Sequence, residues 1–110
     1  MDGLIAFYRA RLDEAERAAR RGQLTVPRPP GFEGLGRECT AELHEPVKAH
    51  VLADIEAKRD VLKLYEAAET NHRERGTERA HAELDALRDV LRALSGEHAA
   101  HPDYKAAWRF

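Results

Sequence analysis

The 110-residue sequence has a single cysteine, Cys39. One thiol excludes an intrachain disulfide and any zinc centre built on several cysteines, and it fits the reducing cytoplasm. Long apolar runs are also lacking, since no stretch approaches the roughly 18 apolar residues that a membrane-spanning helix needs. The first residues have no basic region followed by an apolar segment, which a signal peptide requires. We therefore predict a cytoplasmic protein without a membrane contact.

The sequence also lacks an excess of charge of either sign. Eighteen basic and twenty acidic residues leave a net charge of −2, which excludes a broad electrostatic attraction to nucleic acid or to anionic lipid. The abundant residue types favour helix. Charged residues make up 35% of the chain, and alanine, leucine, arginine and glutamate dominate its composition. The composition predicts one all-α domain spanning residues 1–110.

Apolar residues recur at helical spacing in three segments. The short polar turn between the second and third segments predicts an antiparallel helical hairpin, with the first helix packed across it. Pro46 is expected at the first position of the second helix, and Thr77 is expected to cap the third. The three predicted helices run from about Asp2 to Arg21, from about Pro46 to Asn71, and from about Glu78 to Leu94.

Two segments interrupt the helical pattern. Residues 22–45 contain three prolines and four glycines, which predicts a long irregular loop. Residues 97–110 form a C-terminal tail that holds three of the seven aromatic residues of the chain. Pro102 can start a short helix there, which would put Tyr104 and Trp108 on one face. The tail is therefore predicted to be a short aromatic helix that docks on the hairpin.

Three stretches, "MDGLIAFYRARLDE", "HVLADIEAKRDVLKLYE" and "HPDYKAAWRF", occur in this order and make up more than a third of the chain. Together they resemble a small actinobacterial and phage family, domain of unknown function 6221. The resemblance implies no catalytic residues, because the family has none assigned. The chain departs from the family pattern in having Phe32, and no tryptophan, in its proline-glycine segment. It also lacks the paired cysteines that some relatives carry.

The first functional hypothesis is a non-catalytic interaction or accessory protein. Large apolar side chains lie on more than one side of the first helix, and leftover apolar surface commonly marks a partner or self-association site, as in a homodimer. The candidate contacts are Phe7, Tyr8, Tyr104 and Trp108. No nucleophile–base arrangement and no glycine-rich phosphate loop stands out, so we predict no enzyme and no cofactor.

Two alternatives remain open. The arginines of the first helix, Arg9, Arg17, Arg20 and Arg21, could contact nucleic acid phosphates, although acids interleave with them. Alternatively, His98 and His101 are three residues apart and could share a metal ion if a third ligand came from elsewhere.

Overall fold

The computed structural model describes residues 3–27 and 38–110 of the chain. These residues form a predominantly helical structure, so the all-α class expected from composition is confirmed. Three helices, two short strands and two single 3₁₀ turns follow one another. They are α1 (Leu4–Arg20), β1 (Gln23–Pro27), β2 (Glu38–Glu42), α2 (Glu45–Arg75), α3 (Glu78–Ser95), and the 3₁₀ turns Gly96–His98 and Ala106–Trp108.

Helix α1 begins after Gly3, whose φ of 76° is a left-handed conformation that glycine adopts without strain. Asp2, where the sequence predicts this helix to begin, lies outside the described residues. At the other end, Arg17 and Arg20 occupy the last turn, where cations favour the negative end of the helix dipole. Gly22, with φ 75°, then turns the chain out of the helix as predicted.

The loop predicted for residues 22–45 contains regular structure at both ends. Strands β1 and β2 pair antiparallel, with Gln23 opposite Glu42 and Pro27 opposite Glu38. The Leu43 N–H donates to the Gly22 carbonyl oxygen at 2.7 Å and continues this pairing to the ends of the helices. The strands contain Thr and Val, which favour extended backbone, but five residues are too few to give a clear alternation in sequence.

Helix α2 has 31 residues and extends four residues beyond its predicted end. The polar residues after Asn71 are good helix formers, and the helix ends only at Gly76, which has φ 60°. Pro46 lies in the first turn of α2, one position later than predicted, because the helix begins at Glu45. Although α2 is long enough, no helix of residues 3–27 and 38–110 is both long and apolar enough to cross a bilayer.

Helix α3 starts where the sequence predicts. The Ala80 N–H donates to the Thr77 hydroxyl oxygen at 3.1 Å, which satisfies one of the unpaired donors of the first turn. The rings of His72 and His81 lie 5.2 Å apart across the turn that joins α2 to α3. The two helices therefore form the predicted antiparallel hairpin.

Helix α1 packs across the hairpin and runs antiparallel to α2. Arg59 of α2 donates to Asp13 of α1 at 2.8 Å and approaches Glu16 at 3.5 Å. Side chains from all three helices meet between them. The buried residues of this core are Tyr8, Leu12, Ala19, Ile55, Leu62, Tyr65, Ala68, Leu84 and Leu91.

Candidate interaction surface

The C-terminal tail folds back along α1 and α3 and docks through its aromatic residues. The Phe7 ring lies 5.2 Å from the Trp108 ring and 5.9 Å from the Tyr104 ring, centroid to centroid. Arg92 of α3 donates to the carbonyl oxygens of Trp108 and Arg109. The tail thus bridges α1 and α3, and it reaches its place through 3₁₀ turns and extended residues. The continuous short helix predicted from Pro102 is not formed.

The four aromatic residues proposed as partner contacts form an internal structure. Tyr8 is fully buried, and the exposed fractions of Phe7 and Trp108 are 8% and 6%. Tyr104 is half-buried against the same cluster. We therefore correct the prediction: these rings close the fold in this conformation and leave almost no area for a partner. Within residues 3–27 and 38–110, a large aromatic side chain that stays at the surface is Phe110, with 79% of its area exposed.

The candidate metal ligands also have structural roles. The Nε2 atom of His98 lies 3.2 Å from Glu97 Oε1. In His101, Nδ1 lies 3.0 Å from the backbone N–H of Asp103, and Nε2 contacts the Arg11 guanidinium. Both rings also pack edge-on against the Phe7 side chain. Within residues 3–27 and 38–110, no group of three potential ligands is assembled around this pair.

A polar network that the sequence did not reveal joins α2 to the turn after α3. The Lys58 ammonium lies 3.0 Å from Asp54 and 3.3 Å from Glu97. Burial acts to lower the pKa of Lys58, but the hydrogen bond to Asp54 and the charge of Glu97 outweigh it and raise that pKa. In the sequence, Lys58 interrupts the apolar stripe of the second helix. In the structure it crosses to a carboxylate of another element.

Burial and neighbouring groups shift the pKa values of Glu97 and Tyr8. The hydrogen bond from His98 lowers the pKa of Glu97 despite the opposing effect of burial, and the charge of Lys58 acts in the same direction. Burial, followed by the carboxylate of Glu97, raises the pKa of Tyr8 far above its ordinary value. The Tyr8 hydroxyl is buried and has no hydrogen-bond partner among the described residues. The charged members of this network, Lys58 and Glu97, neutralise each other.

The arginines of α1 are interleaved with carboxylates, as the sequence indicated. Arg9 forms an ion pair with Glu66 of α2, and Arg20 lies 3.4 Å from Glu16. Arg17 and Arg21 are exposed at the C-terminal end of the helix. Two of the four candidate phosphate ligands are therefore engaged with acids, which weakens the argument for a nucleic acid surface.

An open depression of about 800 Å³ lies between α3 and the tail. Its charges are paired along α3, because Arg88 lies 3.4 Å from Asp85 and Arg92 lies 3.5 Å from Asp89. Lys105 lies 5.6 Å above the Trp108 ring. The cations of this depression are thus occupied by groups of the protein itself.

Each outer groove between two helices is covered by different groups, or by none among the described residues. Ion pairs of Arg9 and Arg59 bridge α1 to α2. The docked tail fills the groove between α1 and α3. Among the described residues, neither of these covers the outer side of the α2–α3 hairpin, and large apolar side chains reach solvent there: Leu64 is 58% exposed and Val90 is 42% exposed.

Leu64 belongs to an apolar stripe on α2, and Val90 belongs to one on α3. In both stripes the residues are spaced by four and then by three positions, so each stripe lies along one side of its helix. Members of both stripes are exposed, apart from the half-buried Val61. We call this surface the hairpin face. It consists of Ala57, Val61 and Leu64 on α2 and of Ala86, Val90 and Ala93 on α3.

The structure thus defines a small all-α protein with an antiparallel hairpin that is covered on one side. The model of a family of unknown function, DUF6221, matches residues 1–110, and the chain belongs to this family. This confirms the family resemblance of the three sequence stretches. No curated protein and no solved structure shows a significant match to the chain.

Proposed function

We propose that the protein is a non-catalytic interaction or accessory protein of the cytoplasm and that the hairpin face is its contact surface. The observation that carries this proposal is the exposure of Leu64 and Val90 side by side on the two helices of the hairpin. Exposed apolar side chains that adjoin one another on a folded protein commonly mark an interaction site.

The shape of the molecule supports the same surface. The molecule measures 47 × 31 × 15 Å. Two helix layers about 10 Å apart, with backbone radii of about 2.3 Å on either side, account for a thickness of this size. One layer is the hairpin, and the other is α1 with the tail. No third layer covers the outer side of the hairpin among residues 3–27 and 38–110, so its apolar residues are available to a partner.

The non-catalytic part of the proposal has its support in the polar groups. Three groups whose pKa departs from its ordinary value, Tyr8, Lys58 and Glu97, lie where the helices and the tail meet. The charged groups among them are paired with each other, an arrangement that is typical of a structural network.

The test uses the tagged protein as bait in cells that produce it, with bound proteins, including further copies of the chain, identified by mass spectrometry. We expect Leu64→Lys to lose the bound protein, because a buried unpaired charge opposes association. Val47→Lys is the matched control, since Val47 is half exposed on α2 but lies outside the hairpin face. Identical capture by wild type and Leu64→Lys, or no capture at all by wild type, would contradict the proposed function.

A further inference from the structure

We propose that residues 101–110, which we call the aromatic segment, form a pH-sensitive cover of α1. A proton taken up by His101 releases this segment from α1, while the core between the three helices stays folded. The inference is independent of the hairpin face, because none of the six residues of that face takes part.

Both ring nitrogens of His101 face a hydrogen-bond donor. The backbone N–H of Asp103 donates to Nδ1 at 3.0 Å, and a guanidinium nitrogen of Arg11 contacts Nε2. A backbone N–H and a guanidinium can only donate, and a neutral imidazole has one nitrogen that accepts. The docked position therefore favours the neutral ring, because a protonated ring accepts from neither donor.

Arg11 makes a proton on this ring more unfavourable. Its side chain is only 11% exposed, and its Nε has no hydrogen-bond partner among the described residues. One guanidinium nitrogen pairs with Glu14 at 2.8 Å, and the guanidinium carbon lies 5.1 Å from the centre of the Phe7 ring. Protonation of His101 therefore brings two like charges together and removes an acceptor from a largely buried guanidinium.

The charged and titratable groups that act on His101 come from α1 and from the tail itself. They are Arg11 and Glu14 of α1 and His98 and Asp103 of the tail. Burial, followed by the charge of Arg11, lowers the pKa of His101, although the two carboxylates oppose this effect. The released segment therefore binds the proton more tightly than the docked one, so release is favoured as the pH falls below about 6.5.

The packing allows the aromatic segment to leave without opening the main core. Leu4, Phe7 and Trp108 form a buried cluster that is separate from the core between the three helices. In the described part of the chain, the backbone hydrogen bonds of the segment join residues three apart, as from the Tyr104 N–H to the His101 carbonyl oxygen. Release therefore breaks side-chain contacts only, and it uncovers an apolar side of α1 that is hidden at neutral pH.

The experiment uses Trp108, the single tryptophan of the chain, as a reporter of docking. Its emission maximum and its quenching by acrylamide are followed in the full chain from pH 7.5 to pH 5, with circular dichroism of the same samples. Below about pH 6.5 we expect emission at longer wavelength and stronger quenching, while the helical signal is retained. Each unit by which the two pKa values of His101 differ weakens docking about tenfold.

Two variants at the histidines of the tail test the assignment to His101. His101→Gln has no ring to protonate, so it should keep the short-wavelength emission at pH 5. His98→Gln is the matched control, because the His98 ring also packs on Phe7 but its Nε2 lies 3.2 Å from a carboxylate oxygen of Glu97. It should release the segment as the wild type does.

Arg11→Gln tests the same contact from α1 and decides the matter if His101→Gln is already undocked at neutral pH. It keeps the imidazole and removes the opposing charge, so it should release less of the segment at pH 5. Wild-type emission that is unchanged at pH 5, or a helical signal lost together with the emission shift, would overturn the inference. So would an undiminished acid transition in Arg11→Gln or in a docked His101→Gln, or its absence in His98→Gln.

Discussion

The indole ring of Trp108 packs against the phenyl ring of Phe7 with 5.2 Å between their centroids, although the two residues come from opposite ends of the chain. This contact joins the tail to α1, and Arg92 of α3 holds the adjoining carbonyl groups. The tail is therefore a structural part of the protein, and it adds a bridge between α1 and α3 to the core that these helices share with α2.

Truncation of this anchor provides the first prediction. Trp108→Ala should lower the free energy of unfolding by about 3–5 kcal/mol, because it removes a buried indole and leaves a cavity beside Phe7 and Leu4. Urea unfolding followed by circular dichroism measures the change. Phe110→Ala is the control: its side chain is exposed, and the change should stay within about 0.5 kcal/mol. Equal effects of the two substitutions would contradict a docked tail.

The start of α3 provides the second prediction. Thr77→Ala should cost about 1 kcal/mol, because the Ala80 N–H loses the hydroxyl oxygen that accepts its hydrogen bond. Thr77→Ser retains an acceptor at the same place and should preserve most of the stability. Thermal unfolding of the three proteins gives the comparison, and an alanine variant as stable as the serine variant would show that the cap contributes nothing.

The polar network of Lys58 provides the third prediction. A double-mutant cycle of Lys58→Met and Glu97→Gln should show a coupling of about 0.5–1 kcal/mol, because the ammonium and carboxylate meet between two elements of the fold. The pair Arg79 and Glu83 is the matched control on α3, since both side chains are largely exposed. Its cycle should give a smaller coupling. Additive effects at Lys58 and Glu97 would argue against a stabilising bridge.

The pH dependence of stability provides the fourth prediction. Burial and the charge of Arg11 lower the pKa of His101 below its ordinary value of 6.5. The unfolded chain therefore binds this proton first as the pH falls, so stability is full above about pH 6.5 and declines below it. The lowered pKa of Glu97 adds a further loss below about pH 4.5, since its carboxylate is favoured in the folded state.

Thermal midpoints at neutral pH and at pH values below 6.5 measure this dependence. His101→Gln removes the titrating ring, so its midpoint should fall less than that of the wild type over the upper part of this range. A variant with the same decline as the wild type would assign the acid sensitivity to other groups.

Local signals in the sequence were sufficient to predict the helices. Each of these signals acts within a few residues along the chain. They are the helical spacing of leucines in α3, the cap at Thr77, Pro46 in the first turn of α2 and Gly22 after α1. Helix ends are harder to predict where no glycine or proline marks them. The end predicted at Asn71 therefore came too early, since α2 continues to Arg75 and stops at Gly76. The pairing of β1 with β2 depends on contacts between separate segments and was missed.

The candidate site was less predictable. The sequence singled out Phe7, Tyr8 and Trp108 because large apolar side chains in a small protein are unusual, but their spacing did not reveal whether they face a partner or each other. In the sequence, Val61 and Leu64 already lie off the core stripe of the second helix and indicate leftover apolar surface. The α3 half of the hairpin face gave no such signal, because two of its three residues are alanines. Its significance depends on what covers the hairpin, which is a property of the assembled molecule.

The sequence by itself determined the all-α class and the approximate positions of the helices, because composition, periodicity and capping operate over short distances. Tertiary structure alone decided that the tail bridges α1 and α3, that Lys58 reaches Glu97, and that no element of residues 3–27 and 38–110 covers the outer side of the hairpin. These outcomes depend on which surfaces compete for burial once the helices pack, and residues far apart in the chain take part in that competition.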